Sequence, residues 1–260
     1  MEVEDALRYD GVHTYRIKLP NIVWKSFEVP LKLPPITSAT LTTNDDGTEL
    51  TIQTHYTGAV EPEQARMLTE EATRKIINRL AYHLNAFLQE PIYIAGSITA
   101  IHSDGHKDHF VSCVEHLGLT DSATRTHYYG DEATDCLKEK LGTTLPIPGQ
   151  AQYDLYRTLL AGSDSVAKFL SFYLVLMSFH DDKQPEVETF IRRWEPTVRY
   201  EKTDPPRGRK TDWKQETVYT RLRNQVGHNR QVSLRDTRAE MDTYMTGLMT
   251  LVRKCIEING

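Results

Sequence analysis

The chain is poor in the features that mark secreted, membrane-bound or metal-stapled proteins. It has 3 cysteines in 260 residues, Cys113, Cys136 and Cys255. Isolated and odd in number, they suit neither a disulfide framework nor a Cys-x-x-Cys zinc site, and reduced, partly buried thiols are expected. Long apolar runs are missing: the most apolar stretch, Phe169 to Phe179, falls well short of the roughly 20 residues a membrane-spanning helix needs. The amino terminus Met1-Glu2-Val3-Glu4-Asp5 is acidic, the wrong sign for a signal peptide, so a cytoplasmic protein with no membrane partner is expected. There is no Walker loop, dinucleotide fingerprint, Gly-x-Ser-x-Gly elbow or His-Glu-x-x-His pair, which argues against nucleotide hydrolysis, dehydrogenase and zinc-protease chemistry. Internal repeats and low-complexity tracts are also absent.

What is present is ordinary in bulk and uneven in detail. Hydrophobic residues make up 39% of the chain and charged residues 26%, close to globular norms. At roughly 100 to 200 residues per domain, the length suits two domains. A net charge of -5 argues against unselective coating of nucleic acid, which is mostly phosphate neutralisation. The average conceals a contrast. From Ile191 to Arg238, thirteen Lys or Arg stand against six Asp or Glu, so this segment is +7 and the remainder -12. Such a segment either faces phosphates or is a solvated loop and helix face, and charge alone does not choose between them.

Hydrophobic periodicity divides the chain. Leu50, Ile52 and Tyr56 fall on alternate positions of Thr48 to Thr57, and Asn44-Asp45-Asp46-Gly47 is a hairpin turn signal joining that run to Ala39 to Thr43. A second hairpin is predicted around Asp104-Gly105, joining Ile92 to Ile101 with Phe110 to Val114. Between them Ala65, Leu68, Ala72, Ile76, Leu80, Leu84 and Leu88 recur every three or four residues, one buried stripe of a helix. Residues 1–145 therefore read as an α+β domain with a small sheet. From Gly149 the pattern turns helical, and residues 150–260 read as an all-α bundle. Ser163-Asp164 supplies an amino-terminal cap for a helix through Phe179 that is apolar almost all round and should be central. Val218, Leu222 and Val226 mark a second helix from about Asp212 to Gly227, and Met241, Met245, Leu248, Val252 and Cys255 a third. The stretch Glu195 to Lys210, with Pro196, Pro205-Pro206 and Gly208, cannot be regular helix and reads as an exposed basic loop.

The second of these helices carries the most specific motif, Tyr219-Thr220-Arg221-Leu222-Arg223-Asn224-Gln225-Val226-Gly227-His228-Asn229-Arg230. An Arg with a His five to seven residues later is nearly worthless as a signal, since Arg8 and His13 satisfy it too. The strict form, with Asn directly after Arg, arises by chance in on the order of one chain in a hundred. It also lies at the end of an amphipathic helix, whereas Arg8 to His13 crosses Asp10-Gly11 in a turn-like segment. On a helix Asn224 and His228 share a face while Arg223 is rotated roughly 100° from Asn224, so one chain offers a shallow polar edge. Gly227, costly by about 1 kcal/mol in a helix interior, marks a helix end or a close backbone approach.

This segment closely resembles the Arg-Asn-x-x-x-His signature of the HEPN superfamily, over about residues 150 to 258. The resemblance implies a helical bundle that dimerises through this domain, so that two edges enclose one RNA phosphate. It implies metal-independent RNA cleavage, in which the substrate's own 2'-hydroxyl attacks the neighbouring phosphorus. His228 would then be the acid or base, Arg223 would stabilise the phosphorane and Asn224 would orient its neighbours. Arg221, Arg230, Arg207, Arg209 and Lys210 are the candidate RNA contacts; no metal and no cofactor are required. Some HEPN domains are non-catalytic binding or assembly modules, and that alternative stays open. In one branch a tyrosine two residues after the motif histidine is nucleotidylated; Arg230 stands there, which weakens a toxin role controlled in that way. The family often serves in phage defence or toxin systems, and a front domain joined to a HEPN domain is also similar to the layout of bacterial MauJ-like proteins. The amino-terminal domain lies outside the resemblance, and a regulator or ligand is expected to act there.

Two other constellations carry weaker readings. His102, Asp104, His106, Asp108 and His109 are metal-ligand types, but Ser103-Asp104-Gly105-His106-Lys107-Asp108 also has the composition of a solvated hairpin tip. Tyr128-Tyr129 and Trp213 suit base stacking or rim packing.

Overall fold

The computed structural model describes residues 7–59, 61–114, 127–142, 150–203, 214–227 and 234–259. The chain forms two compact units, Met1–Arg157 and Thr158–Gly260. Its architecture is α+β, a six-stranded antiparallel sheet in the first unit and mainly helices in the second.

The first unit contains strands β1 (Arg8–Lys18), β2 (Ile22–Val23), β3 (Phe27–Leu33), β4 (Ile36–Thr43) and β5 (Glu49–Ala59), then helix α1 (Pro62–Leu84). There follow β6 (Ile92–Ile101), β7 (Lys107–Cys113), β8 (His127–Tyr128), α2 (Asp131–Leu141) and α3 (Gln150–Leu160), of which residues 158–160 belong to the second unit. The sheet order is β3-β4-β5-β1-β6-β7. Both predicted hairpins form: β4 pairs β5 with Thr43 opposite Leu50, and β6 pairs β7 with Ile101 opposite Lys107. Gly47 and Gly105 take positive φ at the two tips, a conformation glycine adopts without steric cost. The buried stripe of α1, including Ala65, Ala72, Ile76 and Leu80, packs with Leu41, Leu50 and Ile52 of the sheet in one core.

Three expectations need correction here. Asp10-Gly11 is no turn but a bulge inside β1, with a register shift between Tyr9 and Gly11. A side chain at Gly11 would stand 2.3 Å from the Ser97 carbonyl and 2.6 Å from the Tyr56 hydroxyl, so glycine answers a long-range close approach. The α1 stripe stops before Leu88, because Asn85 caps the helix in the left-handed conformation; Leu88 reaches the core from the following loop. Finally, Cys113 and Cys136 are exposed and only Cys255 is buried.

The second unit contains α4 (Ser165–Ser178), α5 (Gln184–Trp194), β9 (Tyr200–Thr203), β10 (Lys214–Thr217), α6 (Val218–Gly227) and α7 (Leu234–Asn259). Asp164 caps α4 as expected, its carboxylate accepting the Ala167 N–H at 2.8 Å. Helix α4 packs against α5, α6 and α7, which makes it central, although Leu174 projects outward. Residues 214–217, expected as helix, instead pair with β9 as an antiparallel ladder, so the bundle is not purely helical. The polar run Lys214-Gln215-Glu216-Thr217 has no apolar stripe to hold a helix turn, while the ladder satisfies its backbone. No helix among the described residues is long and apolar enough to cross a membrane.

Candidate functional site

The beginning of α6 is fixed by a buried carboxylate. Glu188 on α5 accepts both the backbone N–H and the hydroxyl of Thr217, each at 3.0 Å. This places negative charge at the positive end of the helix dipole and satisfies an amide that opens the helix. One turn in, Thr220 shares a 2.7 Å hydrogen bond with the Tyr173 hydroxyl of α4, and burial raises that phenol's pKa to about 12. The Tyr173 hydroxyl is therefore a neutral hydrogen-bonding group. Val218 and Leu222, both wholly buried, point the other side of α6 into the core.

On that anchored helix the two described motif residues touch. Arg223 donates through Nη1 to Asn224 Oδ1 at 2.8 Å, and Asn224 Nδ2 donates to Glu216 Oε2 at 3.2 Å. The other Glu216 oxygen accepts from Gln184 Nε2 at 3.4 Å. A chain thus runs from α5 through β10 to α6 and ends on a guanidinium. Asn224 is 5% exposed and Glu216 9%, whereas Arg223 is only half-buried. Among the described residues no carboxylate lies within ion-pair distance of Arg223. Among the described residues its guanidinium is therefore held by a neutral amide and by no carboxylate.

Arg221, expected as an RNA contact, is placed differently from Arg223, among carboxylates of its own chain. It is 8% exposed, with its Nε 2.6 Å from Glu201 and its Nη2 on Glu240. Arg199 pairs with the same two carboxylates at 2.9 and 3.8 Å. Two arginines and two glutamates from β9, α6, α7 and the residue before β9 close a charge-balanced cluster. A phosphate could reach Arg221 only by breaking a partly buried ion network, at a cost of several kcal/mol. His228, Arg230, Arg207, Arg209 and Lys210 lie outside the described residues.

The histidine-rich hairpin tip forms a hydrogen-bonded set. Asp108 receives His102 Nε2 at 2.9 Å and His106 Nε2 at 3.2 Å, and these contacts hold its carboxyl below the usual range. His109 instead meets Thr99, at 2.9 Å. No group of three or more His, Cys, Asp or Glu among the described residues is placed to hold a metal ion. Tyr129 packs edge-on against Trp24, 6.4 Å between ring centroids, at the rim of the first core, while Trp213 lies outside the described residues. Sequence reasoning missed Glu216, Gln184 and Glu188, because their link to Arg223-Asn224 crosses three elements and leaves no fixed spacing. A glutamate directly before Thr-Val at a helix start was the only local hint.

Compared with known proteins, the chain matches no family model, no curated protein and no solved structure.

Proposed function

We propose that the second unit is a metal-independent endoribonuclease of the HEPN kind, acting in the cytoplasm as a homodimer whose two motif edges share one RNA phosphate. The observation that carries this reading is the Arg223 guanidinium, fixed by Asn224 and Glu216 yet without a carboxylate partner among the described residues. An arginine positioned in this way suits a phosphorane, whose charge develops only during reaction. His228 supplies the proton transfer, taking the 2'-hydroxyl proton or protonating the leaving 5'-oxygen. The first unit regulates access or activity through a ligand or partner of its own.

The products test the chemistry. Attack by the 2'-hydroxyl leaves a 2',3'-cyclic phosphate on one fragment and a 5'-hydroxyl on the other. We expect those ends by mass spectrometry, and no cut where a single 2'-deoxyribose replaces the nucleotide that supplies the nucleophile. Cleavage at the deoxy position, or 5'-phosphate products, would remove Arg223 and His228 from the reaction. One observation favours the non-catalytic alternative: Asn224 spends its amide on internal hydrogen bonds, as a residue serving only to brace α6 would. That reading predicts no RNA cleavage under any condition, together with loss of stability in Asn224→Ala.

A further inference from the structure

We propose that Trp194 and the cations around it form a subsite for one unpaired nucleotide of a single-stranded RNA, a role that rests on the ribonuclease reading for its choice of polymer. Trp194 ends α5 and remains 40% exposed, a large apolar side chain at the protein surface. A cavity of about 300 Å³ opens beside it, lined by Trp194 together with Thr250, Leu251, Arg253, Lys254 and Glu257 of α7. The Lys254 ammonium lies 4.6 Å from the indole centroid and the Arg193 guanidinium carbon 5.4 Å. Both distances fall within the reach of cation–π attraction, about 6 Å.

The chemistry of these groups selects a ligand with a flat face and a negative charge. The indole carries these two cations over its ring, so a base that stacks there displaces one of them toward its own phosphate, exchanging a cation–π contact for stacking and a charge pair. Among the described residues the cavity wall carries Arg253, Lys254 and Glu257, and Arg193 lies against the indole. The Lys254–Glu257 pair, 3.0 Å apart, is partly solvent-exposed and worth about 1 kcal/mol, little enough for the lysine to exchange toward a phosphate. The cavity volume lies at the small end of ligand sites, roughly 300 to 1,000 Å³, and fits a single nucleotide rather than a folded partner. A simpler account of Arg192 and Arg193 is that cations favour the carboxy-terminal turn of a helix. That explains their position, but not the exposed indole beside a cavity, nor the lysine brought to it from another helix.

The test uses the full chain and a fluorescein-labelled, fully 2'-O-methylated RNA strand of about ten nucleotides, within the site sizes of single-strand binders. Such a strand cannot supply the attacking hydroxyl, so anisotropy reads binding apart from cleavage. Trp194→Ala should weaken binding about 5- to 150-fold, the loss expected for one stacked base. Trp194→Phe should keep most of the affinity, and Lys254→Gln should flatten the salt dependence by about 0.7 in log–log slope. Equal affinity of wild type and Trp194→Ala would overturn the subsite, as would failure of the wild-type chain to bind the strand. Trp194-dependent binding by a chain that never cleaves unmodified RNA would uphold the subsite and sink the nuclease. Cleavage with cyclic-phosphate ends and Trp194-independent binding would do the reverse.

Discussion

Gly247 lies in the interior of α7, where glycine ordinarily costs about 1 kcal/mol relative to alanine. A side chain there would sit 2.1 Å from the Tyr219 hydroxyl, which donates to Glu195 Oε2 at 2.7 Å. We therefore expect Gly247→Ala to destabilise the second unit by about 1–3 kcal/mol through overpacking, despite its better helix propensity. In a Tyr219→Phe background the hydroxyl is gone, the nearest remaining atom is the ring carbon at 3.3 Å, and most of the penalty should vanish. A double-mutant cycle by urea denaturation measures that coupling; a stabilising Gly247→Ala in the wild-type chain would refute it. A second prediction concerns His13, buried against Thr69 with Nδ1 at 2.7 Å from its hydroxyl. Burial first, and then the Arg66 charge, hold its pKa below the ordinary 6.5, while Glu63 opposes them. The unfolded chain thus takes up the proton more readily than the folded one. The contribution of His13 to stability is complete above pH 6.5 and is lost as pH falls from there through the lower folded value. His13→Gln should flatten the fall in stability as pH drops below 6.5; an unchanged slope would contradict it.

Between elements, the polar contacts that matter join segments distant in sequence. Arg79 of α1 is buried and donates to the last carbonyls of α2, Leu141 at 2.6 Å and Lys140, so its charge neutralises the negative end of that helix. Arg79→Met should destabilise the first unit by about 3 kcal/mol, since a hydrogen bond from a charged group contributes roughly 1.5–3 kcal/mol and both carbonyls would lose their partner. Amide exchange should quicken in α2 before the sheet; uniform change across both would argue against a capping role. The same distance in sequence decides what could be read in advance. The β4–β5 hairpin was legible because Asn44 to Gly47 carries its own turn chemistry, and α1 because its stripe repeats locally. Strand β1 was obscured at Asp10-Gly11, where the reason for glycine lies on β5 and β6. In the candidate site, Arg223 and Asn224 stood out as adjacent letters of a motif. The ion pairs of Arg221 were not legible, because Glu201 and Glu240 sit on other elements. Glu216, which holds Asn224 and which no spacing disclosed, would be a positioning residue in the proposed reaction. Glu216→Ala should leave the fold intact by circular dichroism, yet lower kcat about 10- to 100-fold with little change in KM, the loss typical of a misplaced catalytic group.

At the scale of the whole molecule, the proposed reaction requires more than one chain, because α6 exposes one arginine on one edge and a phosphorane must be surrounded. That requirement separates a composite site from two independent ones without knowledge of the substrate. Wild-type chain and an inactive His228→Ala chain, each labelled and allowed to exchange at equal concentration, form the two homodimers and the mixed dimer in about a 1:1:2 ratio. If each chain cut by itself, activity per total chain would fall to about half. If both histidines must meet in one cleft, only the wild-type homodimers work and about a quarter remains. EDTA should leave either figure unchanged, since no step draws on a metal-bound water. Arg223→Ala mixed with wild type should follow the same curve, because the guanidinium acts on the shared phosphate. A half-active mixture, with exchange verified by energy transfer between the labels, would show that one motif edge suffices. The dimer would then be incidental to the chemistry, and Arg223 with His228 of a single chain would have to carry the reaction alone.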